Sequence, residues 1–78
     1  MNKDKELYVS SDFDVACVLK YFAFEVEKTL KEDGKKVWCF KRSIQMDEVL
    51  KQYWKGELSV NIVNFLAVQR FMKSSLHN

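Results

Sequence analysis

The stretch that decides the fold is "EDGKKVWCFK", residues 32–41. Its Asp-Gly pair is among the strongest short signals for a hairpin turn, because both residue types tolerate the positive φ angles that such a turn needs. The preceding segment, "FAFEVEKTL" at 22–30, alternates apolar and polar side chains with the period of a half-buried strand. Residues 36–41 supply the return strand. The sequence therefore predicts a β-hairpin that turns at Asp33 and Gly34.

The length of this turn determines which side chains share a face of the hairpin. A two-residue turn places Leu30 opposite Val37, and it puts Trp38 and Phe40 on a face with two glutamates and a lysine. A connection of three or five residues shifts the pairing by one residue and brings Val26 and Leu30 beside the two aromatic rings. Because the shifted register gathers the apolar side chains, we expect the odd-length connection, although it also places one lysine on the apolar face.

The segment before the hairpin, "SSDFDVACVLKYF" at 10–22, predicts a first helix. Ser11 and Asp14 have the spacing of a capping box, and apolar residues recur at helical intervals after them. No glycine marks the end of this helix, so we expect it to stop near Tyr21 or Phe22.

The segment "SIQMDEVLKQYWKG" at 43–56 predicts a second helix with clear signals at both ends. Ser43 is suited to the N-cap and Gly56 to a left-handed C-cap. We interpret Tyr53 and Trp54 as the buried end of its apolar stripe, with the indole N–H of Trp54 close to water. The stripe consists of Met46, Val49, Leu50, Tyr53 and Trp54.

The segment "NIVNFLAVQRFMKSSL" at 61–76 predicts a third helix, with Asn61 or Ser59 as its cap. Its broad apolar face predicts packing on two neighbours. That face consists of Ile62, Phe65, Leu66, Val68, Met72 and Leu76.

Together these elements predict an α+β fold. A two-stranded hairpin is marginal in water by itself, so the three helices should cover its apolar face. "LYV" at 7–9 adds a third short strand if it pairs with an edge of the hairpin. The predicted order is (β)-α-β-β-α-α, in one domain over residues 7–76 that follows a frayed N-terminus at residues 1–6.

The residues after the turn also carry a family resemblance. A strand of the form aromatic-x-Phe leads into an acidic helix that ends in Tyr-Trp-x-Gly. The matching residues are Trp38, Phe40, Asp47, Glu48, Tyr53, Trp54, Gly56, Val60, Asn61 and Lys73. Over residues 7–76 the chain resembles a small family of phage and prophage proteins of the DUF5659 type, a domain of unknown function. That family's pattern has a glycine after the first helix, where this chain has "KYFAF". The resemblance implies a phage or mobile-element origin and supplies no catalytic residue.

Composition and residue spacing argue against several kinds of function. The chain has 78 residues, 47% of them hydrophobic, and its two cysteines, Cys17 and Cys39, have no zinc-site spacing. The single histidine, His77, is next to the C-terminus, so we expect no catalytic triad. The N-terminus lacks the apolar region of a signal peptide, and no apolar run is long enough to span a membrane. We therefore expect a cytoplasmic protein that is not an enzyme and takes no cofactor, metal or small-molecule substrate, and the family resemblance implies that the cytoplasm is that of a bacterial host.

A basic hairpin makes nucleic-acid binding the alternative function. Cations on a ribbon that also carries aromatic rings can hold phosphates and stack bases. The candidate residues are Lys28, Lys31, Lys35, Lys36, Lys41 and Arg42. Four acidic residues share the hairpin, and Trp38 and Phe40 serve better as core, so we consider nucleic acid the less favoured partner.

The remaining interpretation is protein binding. A short chain rich in aromatic residues can expose an apolar patch that it is too small to bury. The candidates at the borders of the apolar faces are Tyr8, Tyr21, Trp54 and Phe71. Residues 1–33 have a net charge of −3 and residues 34–78 a net charge of +5, a polarity that can steer a partner. From the resemblance to phage proteins, and by analogy with other small phage proteins, we expect a host or phage protein as partner and inhibition of a host function such as a defence nuclease. A homodimer is the other way to cover such a patch.

Overall fold

The computed structural model describes residues 7–75. The elements follow the order β1 (Leu7–Ser10), α1 (Phe13–Tyr21), β2 (Val26–Glu32), β3 (Lys35–Lys41), α2 (Ile44–Lys55) and α3 (Ile62–Ser75). The strands form one antiparallel sheet in the order β1-β3-β2. The α+β class and the element order are confirmed, and residues 7–9 belong to a third strand. The frayed N-terminus expected at residues 1–6, and Leu76 of the predicted apolar face, lie outside the described residues.

The hairpin turn has two residues. Glu32 pairs with Lys35, and the residues between them, Asp33 and Gly34, have φ angles of 54° and 78°. Two consecutive positive φ angles define the type I′ turn, whose twist matches that of the flanking strands. The expected odd-length connection is therefore wrong, because the Asp-Gly pair fits the tight turn so well.

The apolar register is restored inside β2 by a bulge. Val26 pairs with Phe40 and Lys28 pairs with Cys39, so that Glu27 is an extra residue in the strand. Regular pairing from the turn onward would place Glu27 opposite Phe40, with its carboxylate on the face that the helices cover. The extra residue moves Val26 into that position. The expectation that Val26 shares a face with Phe40 is confirmed, whereas the expectation that Lys28 lies on that face is wrong.

The core lies between the sheet and the three helices. Trp38 and Phe40 point from the central strand into it, and they are 3% and 0% exposed. Each large apolar side chain that is fully buried contributes roughly 1.5–3 kcal/mol to folding. The buried helix residues of the cluster are Val15, Ala16, Cys17 and Leu19 of α1, Met46 and Leu50 of α2, and Met72 of α3.

Each helix begins at a side-chain cap. Ser43 caps α2 as predicted, because its hydroxyl accepts a hydrogen bond from the N–H of Met46 at 3.1 Å. Asn61, one of the two candidates, caps α3. The predicted cap of α1, Ser11, is wrong: the Asp12 carboxylate accepts from two backbone N–H groups at the start of that helix, at 2.9 and 3.3 Å. A carboxylate is favoured there because it also complements the helix dipole.

The first helix ends at Tyr21, as predicted. Its C-terminal cap has a left-handed residue at a position that is usually glycine. Ala23 has a φ of 71°, and the N–H of Phe24 donates to the carbonyl of Leu19 at 3.0 Å. This is the Schellman motif, in which a left-handed residue follows the helix. The second helix ends with the same motif, and there Gly56 occupies the left-handed position with a φ of 74°.

The two helix ends make a matched pair for mutation. We expect Ala23→Gly to stabilise the fold by about 0.5–1 kcal/mol, because the strain of a left-handed Ala exceeds the entropy that Gly adds to the unfolded chain. We expect Gly56→Ala to destabilise it by about 1 kcal/mol. A Cβ on Gly56 meets no atom within 4 Å, so the loss measures backbone strain rather than a clash. Urea midpoints check both values, and a lower midpoint for Ala23→Gly contradicts this account.

Candidate functional site

The core covers only one side of α3. Met72 is buried, and Phe65 and Val68 are half-buried against the core cluster. These three residues recur at helical spacing, and they place one face of the helix against the rest of the domain. The opposite side of α3 faces solvent.

That opposite side is apolar. Ile62, Val63, Leu66 and Phe71 are between 43% and 68% exposed, and we call these four side chains the α3 outer face. Ile62 and Leu66 lie one turn apart along one border, Val63 lies near the middle, and Phe71 lies on the other border. The prediction that Ile62 and Leu66 belong to the core is wrong. The helix carries apolar residues around more of its circumference than its neighbours cover.

A groove of about 380 Å³ runs beside Phe71, between α3 and the hairpin. Its apolar lining comes from Val26 and Trp38 of the sheet and from Phe71 and Met72 of the helix. Lys20 stands at its rim, with its Nζ 5.7 Å from the centre of the Phe71 ring. The groove and the α3 outer face therefore meet at Phe71.

The four aromatic residues predicted as a protein-binding set do not form one surface. Phe71 is exposed and belongs to the α3 outer face. Trp54 is 65% exposed on α2, with its ring 4.8 Å from that of Tyr53, so its assignment to the core is wrong. Tyr8 is half-buried against the core cluster, opposite Phe40 in the sheet. Only Phe71 of the four thus belongs to the exposed apolar side chains of α3.

Tyr21, the fourth member of that set, connects two helices. Its hydroxyl accepts a hydrogen bond from the N–H of Asn61 at 2.9 Å, and its ring lies edge-on to Phe65 at 5.9 Å. This hydrogen bond holds Asn61, the N-cap residue of α3, against the end of α1. Tyr21 therefore positions α3, and with it the α3 outer face.

The six basic residues of the hairpin region, which were the candidates for nucleic-acid binding, differ in their partners and in their exposure. Lys36 donates to the carbonyl oxygen of Ser75 at 2.7 Å, at the end of α3. Arg42 forms an ion pair with Asp47 at 3.0 Å. The remaining four, Lys28, Lys31, Lys35 and Lys41, are exposed. The buried rings of Trp38 and Phe40 have no surface on which a base can stack.

The two cysteines are unpaired and buried. Burial raises the pKa of the Cys17 thiol from 9.0 to about 11, and the Asp14 carboxylate adds to that rise. A thiol with this pKa remains protonated near neutral pH and is a weak nucleophile. Among residues 7–75, no three His, Cys, Asp or Glu side chains are grouped closely enough to hold a metal ion.

Comparison with known protein families finds a match over residues 5–78 to the family described as Domain of unknown function (DUF5659). The chain belongs to this family. The match covers almost the whole length, so the resemblance to the DUF5659 family is confirmed, and the DUF5659 domain here is the three-stranded, three-helix fold described above. No curated protein and no solved structure matches the chain. Within the described part of this DUF5659 domain, no helix is long and apolar enough to cross a membrane.

The bond between Tyr21 and Asn61 gives a direct test of how α3 is held. We expect Tyr21→Phe to lower the free energy of unfolding by about 1 kcal/mol, since the N–H of Asn61 loses its partner while the ring contact with Phe65 remains. Tyr21→Ala, which removes the ring as well, should cost more. Urea denaturation followed by circular dichroism checks both variants. An unchanged midpoint for Tyr21→Phe shows that the bond does not position α3.

The raised pKa of Cys17 predicts slow alkylation of the folded protein. Between pH 7 and 9, iodoacetamide should modify Cys17 at least about tenfold more slowly in the native protein than in urea, because a rise of two pKa units reduces the thiolate fraction about a hundredfold. The native rate should increase as the pH approaches the pKa of about 11. Peptide mass mapping separates Cys17 from Cys39. Equal rates in the two states contradict the burial of this thiol.

Proposed function

We propose that this protein is a non-enzymatic accessory protein that acts by binding another protein through the α3 outer face. The observation that carries the proposal is the exposure of four large apolar side chains on a single helix, Ile62, Val63, Leu66 and Phe71. Soluble domains rarely leave such a patch uncovered unless it is an interaction surface.

The support for α3 makes its outer face suitable for recognition. The helix is capped by Asn61, tied to α1 through Tyr21 and anchored in the core by Met72. A partner therefore meets a preorganised surface, and little conformational entropy is lost on binding. Exposed apolar side chains on a rigid helix can pack into a complementary groove or against another helix.

The biological setting is part of the same proposal. The phage or prophage origin implied by the family resemblance, together with the small size, suits a protein that occupies a surface on a larger host protein. We propose that it acts in the bacterial cytoplasm on a host or phage protein, as an inhibitor of a host function such as a defence nuclease. Occupying a partner's surface requires a complementary face and no catalytic group.

The alternative function is nucleic-acid binding by the hairpin, and one feature of the sheet favours it. Lys35, Val37, Cys39 and Lys41 are spaced two residues apart along β3 and so share one face of the sheet, and Lys28 pairs with Cys39. All three lysines therefore lie on the sheet face that points away from Trp38 and Phe40. A phosphate backbone can contact such a lysine group without base stacking.

Capture experiments with matched variants test the protein-binding proposal. We expect Val63→Glu and Leu66→Glu to abolish capture of a stoichiometric protein from lysate of the bacterium that carries the gene, because a partner cannot bury the new carboxylates in an apolar contact. Stability should change by no more than about 0.5 kcal/mol, since both sites are exposed. Gln45→Glu and Gln52→Glu add the same charges on exposed positions of α2 and should leave capture intact.

Two outcomes contradict the proposal. The first is capture that survives Val63→Glu and Leu66→Glu. The second is capture that is lost after nuclease treatment, or after Lys28→Gln, Lys35→Gln and Lys41→Gln together. The second result, with binding to random DNA that weakens steeply as salt rises, supports the nucleic-acid alternative.

A further inference from the structure

The two charged residues of α3 itself are basic, and the groove beside Phe71 is lined by Lys20 and Lys36 as well as by Glu25. Arg70 and Lys73 lie on exposed positions of α3, and Lys20 of α1 stands over the ring of Phe71. Residues 58–75 contain no acidic residue, and the nine acidic residues of the described chain all lie within residues 12–57. Cations thus lie within the outer face, at Arg70 and Lys73, and beside it, at Lys20.

These cations have no acidic partner within the described chain. Between residues 7 and 75, the ion pair that forms joins Arg42 to Asp47, and Lys20, Arg70 and Lys73 take no part in it. Arg70 lies two turns after Val63, along the middle of the outer face, and Lys73 lies two turns after Leu66. Lys20 lies on the Phe71 border, where the outer face meets the groove.

From this arrangement we propose that the partner covers the α3 outer face with an acidic amphipathic helix, whose apolar side chains pack on α3 while its flanking carboxylates meet Lys20, Arg70 and Lys73. This inference rests on the proposed function and names the chemistry of the partner. Complementary charge at the rim of an apolar contact speeds association and excludes partners of the wrong sign. The groove beside Phe71 gives one apolar side chain of that helix a place to insert.

A second copy of this chain does not supply that chemistry. Two α3 outer faces in contact bring two sets of basic residues into one interface, and residues 58–75 of neither copy contribute an acid. Such like charges are destabilising when they are brought together without counter-charges. An anionic membrane surface has the right charge, but it is flat and leaves the groove of about 380 Å³ unfilled. Charge and shape together favour a protein segment.

The test uses two synthetic helical peptides as long as α3. Both carry the same apolar positions, and the flanking positions are Glu in one peptide and Lys in the other. We expect fluorescence anisotropy to show the Glu peptide binding about tenfold more tightly at low salt. The preference should shrink as salt rises from about 0.05 M to about 0.5 M, because exposed charges are screened.

Variants of the full chain separate the charge effect from the apolar contact. Arg70→Glu with Lys73→Glu should reverse the preference between the peptides, whereas Leu66→Glu should weaken both of them. The exposed lysines Lys51 and Lys55 of α2 give the matched control, since Lys51→Glu with Lys55→Glu makes the same change in net charge and should leave the preference unchanged.

Several results overturn the inference. In the peptide experiment, these are equal or tighter binding of the Lys peptide, or binding of neither peptide. A dimer in sedimentation velocity that Leu66→Glu dissociates would show that a second copy covers the face. Binding to vesicles of phosphatidylcholine and phosphatidylglycerol in place of the Glu peptide would show that a membrane does. The proposed function fails separately, when Val63→Glu leaves capture of the lysate protein intact. If Val63→Glu abolishes capture and the Arg70 and Lys73 reversals do not affect it, the function stands and the acidic partner is rejected.

Discussion

Phe40 in the central strand is the side chain on which the architecture depends. It is fully buried, and it pairs with Tyr8 of β1 and with Val26 of β2. The tight Asp-Gly turn by itself would set Glu27 against this ring, so the bulge in β2 is the local irregularity that permits both the favoured turn and an apolar core. Helices can cover the sheet only because that conflict is resolved within the strand.

The same core explains which surface remains for function. Trp38 and Phe40 are enclosed by the helices, which removes the hairpin's aromatic rings from the surface. The core takes one face of α3 and leaves the other to solvent, with Ile62, Val63 and Phe71 among its exposed side chains. A domain this small hides a limited fraction of its surface, so an apolar helix with two faces leaves one of them uncovered. The proposed binding function follows from this division.

The position of the Asp-Gly turn, the Ser43 cap and the Gly56 cap could be predicted from the sequence, because each depends on a few neighbouring residues. The length of the turn and the cap of α1 were predicted wrongly, because burial was weighted above turn geometry and Ser11 lies next to the better acceptor Asp12. The bulge was not readable, because it depends on a competition between turn geometry and burial far along the strand. Helical periodicity placed Ile62, Leu66 and Trp54 on apolar helix faces. It does not show which parts of those faces are covered by neighbouring elements, and these three side chains are exposed. The left-handed Ala23 gave no signal, because alanine rarely takes that conformation.

Hydroxyl-radical footprinting with residue-level mass spectrometry tests whether β3 keeps its aromatic rings inside the core while α3 presents an apolar face to water, since it compares like side chains within one molecule. Trp54 should be oxidised much faster than Trp38, and Phe71 much faster than Phe40. Oxidation of Trp38 and Phe40 as fast as that of their counterparts, or protection of Phe71 in the isolated protein, would contradict this division between core and surface.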